Sequence, residues 1–192
     1  YRYHITGHPV KISRGAQSME KEGKRRAYRY RWMIFAVLGI QYLVVYFHRV
    51  APAVVAPDLV TAFSISGTSL GLLASAYLYP YAIMQLPVGI LSDSWGPRKT
   101  ITLFSLIAAL GALAFGFAPV FSVAITARAL VGLGVSAVFV AGMKLFASWF
   151  RPHEYGRVSS LLMAIGGIGW FTATTPLAYL AYTCGWRFSF IV

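Results

Sequence analysis

The stretch GILSDSWGPRK, Gly89 to Lys99, decides how the rest of this chain is read. It sits between two long apolar segments and holds an acid, Asp93, two glycines, Pro97 and the adjacent cations Arg98 and Lys99. Such charges are expelled from hydrocarbon, so Asp93, Arg98 and Lys99 fix the stretch at a water interface. Gly96-Pro97 stops one helical run and restarts another, because proline lacks an amide proton yet suits the first turn of a helix. Gly89, near the end of the incoming helix, leaves room for close backbone approach. A link this short between two membrane-crossing segments makes them antiparallel neighbours, a transmembrane helical hairpin.

Working outward, the composition agrees. Of 192 residues 58% are hydrophobic and 11% charged, too apolar for a soluble domain of this size and typical of the membrane class. A bilayer core of ~30 Å needs roughly 20 apolar residues per helix. Spans are expected at about 32–56, 69–92, 100–118, 121–149 and 157–182, with a sixth begun at Trp186 and a loop over Leu59 to Thr68. The fold class is therefore all-α and polytopic, a bundle from 32 to 192 preceded by a basic tail over 1–31. Tyr1 and Val192, the latter inside an apolar run, give the expectation of a piece of a longer chain.

The net charge of +12 would suggest a nucleic-acid partner in a soluble protein, but here the cations follow the membrane. Nine of the 17 Lys and Arg residues lie in the first 31 positions, a polar tail expected to be irregular and held near anionic lipid. Thirteen of the 17 fall on the side of the tail, the hairpin and the FRPHEYG loop over 150–156 with Arg157, against Arg187 alone on the other. The positive-inside rule then puts the N-terminus in the cytoplasm of a cell whose inner membrane the protein crosses repeatedly. Cys184 is the single cysteine, so no disulfide forms within the chain. His4 and His8 are spaced for a metal on a helix, but nothing completes a site, and no cofactor is expected. No strand-borne phosphate loop and no acid-base pair within the spans point to an enzyme.

Three cations remain within the spans. Arg128 stands about seven residues into the fourth, and a guanidinium cannot shed its proton to escape burial. It must face a cavity or a partner, or snorkel to the interface. Arg49, beside His48, is about 17 residues into the first span, and Lys144 sits near the far end of the fourth, where snorkelling explains it well. No Asp or Glu occurs in 32–56, 69–92 or 121–149. A cavity lined by such cations attracts an anion, a carboxylate or phosphate ester. Tyr77, Tyr81 and Gln85 recur every four residues on one face of the second span and, with Trp170 on the fifth, can line a substrate path; helix packing explains them nearly as well. Pro80, Pro87 and Pro176 mark bends, and small residues such as Gly132 and Gly134 let helices pack closely.

These residues also carry a resemblance. A glycine, three residues, Asp, two residues and Gly followed by cations is the hairpin signature of the major facilitator superfamily, and Gly89, Asp93, Gly96, Arg98 and Lys99 match it, with Ser94 and Pro97 in place of usual cations. Arg128, Gly132 and Gly134 are similar to the signature on that family's fourth helix. His48-Arg49 looks like the pair that several of its organic-anion transporters carry in the first helix, with His48 replacing an acid to which proton coupling is assigned. The resemblance, closest to organic-anion or sugar-phosphate members, implies the amino-terminal six-helix half of a twelve-helix transporter, acting as a monomer and moving a small solute by alternating access. It implies substrate contacts from His48, Arg49, Tyr77, Tyr81, Gln85, Arg128, Lys144 and Trp170, and a hairpin gate in which Asp93 near Arg98 meets a helix of the missing half. Symport with a proton through His48, exchange and uniport stay open, as do a neutral or drug-like substrate and a membrane solute sensor on the same fold.

Overall fold

A computed structural model describes residues 14–191, and side chains over 28–190. The described residues form helices α1 (Arg14–Val54), α2 (Ala56–Phe63), α3 (Gly67–Ile83), α4 (Gln85–Ser94), α5 (Pro97–Gly116), α6 (Phe121–Trp149), α7 (Pro152–Thr172), α8 (Thr175–Cys184) and α9 (Phe188–Ile191), with no strand among them. His4 and His8 lie outside the described residues. The basic segment from Arg14 onward is helical, continuous with the first span, where an irregular tail was expected. The chain divides into two compact units at Ile34 and Phe35, and everything below concerns the second.

Within 28–191, three helices are long and apolar enough to cross a membrane, 28–54, α5 and α6, and five spans result when each bent pair is taken as one. One pair is α2 with Gly67–Ser94, turned by 111°, and the other is α7 with α8. Two interruptions lie beside prolines, which remove backbone donors. The second span is interrupted at Met84, because Pro87 has no N–H for the carbonyl of Ile83. The fifth breaks between α7 and α8 with a bend of 41°, ahead of Pro176 in the first turn of α8. The expected loop over Leu59 to Thr68 is a correction: Pro57 opens α2, which buries Leu59 and ends on Ser64 in the left-handed conformation at φ 50°. The apolar residues there have a face to bury, and a two-turn helix buries it.

Starts are equally local. Ser66 caps α3 by accepting from the Ser69 amide at 3.4 Å, and α7 begins at Pro152 with Glu154 reaching back to the Arg151 amide at 3.1 Å. In the hairpin Gly96 holds φ 88°, a conformation glycine adopts without penalty, and Pro97 opens α5.

The long central helix α6 packs against α3, α4, α5 and α7. Its glycines make this possible. A Cβ on Gly132 would collide with the Tyr77 carbonyl of α3, and one on Gly134 with the Ala108 amide of α5. Likewise a Cβ on Gly169 of α7 would strike the Leu43 carbonyl of α1. Between helices in lipid such backbone approaches replace the hydrophobic effect as the source of association. At the end away from the hairpin, Val55, Leu59, Leu73, Phe115, Leu177 and Trp186 form a buried cluster.

Candidate functional site

Arg128 enters from α6 one turn before Gly132, where the missing Cβ brings α3 close. It is only 1% exposed, so it does not snorkel. Its Nη2 donates to the His48 carbonyl at 3.0 Å, and its guanidinium lies 4.7 Å from the Tyr77 ring centre and 5.6 Å from that of Phe115. Ring faces are negative and attract a cation that has no carboxylate nearby. They do not accept strong hydrogen bonds, and Nε and Nη1 have no hydrogen-bond partner among the described residues.

Arg49 arrives from α1, five residues before its end, and is half-buried. Its guanidinium is 4.9 Å from the Tyr81 ring and 5.5 Å from that of Tyr46, and its Nε likewise lacks a partner. Tyr77 and Tyr81 stack 6.3 Å apart and almost parallel at 5°. The four side chains therefore form a series: guanidinium, ring, ring, guanidinium. Tyr77 is anchored by its hydroxyl, which donates to the Val45 carbonyl at 3.5 Å. Arg49, Pro52, Leu73, Tyr77 and Arg128 line a cavity of about 380 Å³, and none of its lining residues is acidic. That volume suits a small solute.

The remaining expected residues divide. Trp170 is 52% exposed, but its ring centre is 6.5 Å from Tyr46, so it joins the aromatic surround of Arg49 from α7. Gln85 begins α4 beyond the break at Met84 and does not line the cavity. His48 is adjacent to Arg49 in sequence, and consecutive helical residues face different directions. Its ring lines a second crevice of about 210 Å³ with Gln41 and Ser105, whose side chains hydrogen-bond at 3.0 Å. Its backbone carbonyl accepts from Arg128, and His48 is not among the residues that line the arginine cavity.

Lys144 is committed elsewhere too. Its Nζ donates to the Gly89 carbonyl at 2.7 Å and pairs with Asp93 at 2.6 Å, on the hairpin and away from Arg49. This revises the hairpin: Asp93 pairs with Lys144, while Arg98 stacks 5.0 Å from the Trp149 ring. Gly89 is also corrected. A Cβ there would meet nothing within 4 Å among the described residues, so its carbonyl, not its lack of a side chain, is what the hairpin uses here.

Two participants had no contact role assigned from the sequence. Tyr46 stands three residues before Arg49, a spacing that puts both on one helical face. Arg187, after Gly185 at φ 84°, donates to the Gly116 and Ala118 carbonyls at 3.2 and 2.7 Å and so closes the end of α5. Among the described residues no group of three His, Cys, Asp or Glu side chains is placed to hold a metal.

Known proteins resemble this arrangement in sequence. The family model described as Major Facilitator Superfamily matches residues 38–192. The uncharacterized transporter YybO of Bacillus subtilis is 33% identical over 90% of this chain and 40% of its own length. The probable sulfoacetate transporter SauU of Cupriavidus necator is 30% identical over 84% of the chain and 38% of its own length. The probable galactarate/D-glucarate transporter GarP of Escherichia coli is 25% identical over 88% of the chain and 39% of its own. The chain thus spans about two-fifths of the length of these relatives. With its apolar helices, its paired spans around the charged hairpin and a match over most of its residues, this chain is a multi-pass membrane protein that belongs to the Major Facilitator Superfamily.

Proposed function

We propose that the chain forms the amino-terminal half of a transporter that carries a small organic anion across the cytoplasmic membrane by alternating access. One observation carries this reading: Arg49 and Arg128 share a cavity that no carboxylate among the described residues lines. An uncompensated buried cation costs several kcal/mol, and an anionic solute removes that cost on binding. The reading is supported by two relatives whose names give sulfoacetate and galactarate/D-glucarate, which are anions at neutral pH. In this scheme further helices close the cavity from the other side, and the solute sits near the bilayer midplane between two rocking halves. The N-terminus is cytoplasmic and the unit a monomer. Arg49, backed by the rings of Tyr46 and Tyr81, contacts the anion directly, and Arg128 acts from beneath Tyr77. With the His48 ring in the other crevice, anion exchange or uniport fits this half better than proton symport.

The test is Arg49→Gln in the full-length transporter reconstituted in liposomes. Uptake of radiolabelled organic acids should fall to background, and binding should weaken roughly 10- to 100-fold, as expected when a hydrogen bond to a charged group is lost. The melting temperature should hold. Transport at the unsubstituted rate would end the assignment, and binding without any flux in the unsubstituted protein would identify a sensor instead.

A further inference from the structure

We infer that the cavity selects a small dianion, one with two anionic groups on a short skeleton, over a monoanion of the same size. The inference rests on the anion-transport reading above and deepens it. Two permanent positive charges border one cavity of about 380 Å³, and neither can be neutralised by proton loss. Among the described side chains the three carboxylates lie elsewhere: Asp58 is exposed on α2, Asp93 pairs with Lys144, and Glu154 caps α7.

The two cations are not equivalent. Arg49 is half-buried and lines the cavity, where it would meet a first anionic group. Arg128 is 1% exposed, with two guanidinium nitrogens lacking partners, and one hydrogen bond to a carbonyl leaves its charge whole. The Arg49 guanidinium lies against the Tyr81 ring and that of Arg128 against the Tyr77 ring, so the positive charge comes from two places, one at each ring of the stacked pair. A monoanion answers one end of that distribution. A short dianion answers both, and in a low-dielectric surround the second charge adds to affinity over distances of several ångströms.

The experiment compares matched pairs on the full-length transporter in detergent, by thermal shift and by competition for uptake in liposomes. Succinate is set against its monoamide, succinamate, and glutarate against glutaramate, each pair equal in shape and differing by one charge. The dianions should bind at least about tenfold more tightly than their monoamides. Arg128→Gln should shrink that ratio toward one, and Arg128→Lys, which keeps the charge, should preserve it. Equal affinity for dianions and monoamides in the unsubstituted protein would overturn the dianion inference and leave the anion reading intact, as when a carboxylate from outside this chain neutralises Arg128. An unchanged ratio in Arg128→Gln would also overturn it. Binding of neither class would remove both.

Discussion

Arg128 shows how a residue's surroundings alter what its neighbours must be. A Cβ at Gly132 would enter the Tyr77 carbonyl, and Tyr77 supplies the ring on which Arg128 rests. Gly132→Ala should therefore push α3 away and disturb the site as well as the packing, costing about 1–3 kcal/mol of stability. Gly134→Ala, against Ala108, should cost as much, whereas Gly89→Ala should leave the melting temperature of this chain unchanged, since nothing lies within 4 Å of its added carbon. Thermal unfolding in detergent of the three variants checks this ordering. Asp93 makes the opposite case. Its pair with Lys144 is 75% and 32% exposed at the two side chains, and such pairs contribute about 0–1 kcal/mol. Asp93→Asn should fold and express normally yet slow transport, because it frees Lys144 and loosens the hairpin. Uptake at the original rate would show that the pair has no part in the cycle.

Elements end where donors or acceptors run out, and this chain uses one helix to finish another. The last carbonyls of α5 have no partner within their own helix, and Arg187, placed just before α9, donates to that of Gly116 and to the Ala118 carbonyl just beyond. Arg187→Gln should cost about 1.5–3 kcal/mol, the range for hydrogen bonds to a charged group, seen as a lower melting temperature without loss of substrate affinity. The proline-induced breaks in the second and fifth spans belong to the same scale. Both could be anticipated from Pro87 and Pro176, because a missing N–H is written in the sequence. The helical character of Ala56–Phe63 could not, since eight residues with a proline read equally well as a loop until Leu59 finds a buried place.

In the expected topology most of the cations lie on one side of the membrane. The proposed orientation puts α8 with its tip away from the hairpin, and Cys184 is exposed there. A membrane-impermeant maleimide applied to intact cells should label Cys184, and a Cys184→Ala chain carrying Ser94→Cys should react only after permeabilisation. Labelling in the reverse pattern would invert the topology and remove the hairpin from the cytoplasmic face. The same sorting explains the cavity. Cations that belong to water interfaces sit at the hairpin, and those left inside the membrane, Arg49 and Arg128, gather on one side of α1.

The membrane class, the antiparallel hairpin and the family were legible from residues alone, because hydrophobic run length, expelled charge and backbone breakers act locally along the chain. The three cations in the spans were legible too, since a charge in an apolar run is conspicuous. What each cation touches was decided only by the tertiary structure. Helix rotation turned Arg49 toward the cavity and its neighbour His48 away from it, side-chain reach took Lys144 to Asp93, and the close approach of α3 at Gly132 buried Arg128 under Tyr77. Direction around a helix axis and distance between helices depend on packing against segments far along the chain, so only the fold could sort one arginine pair from the four basic residues at hand.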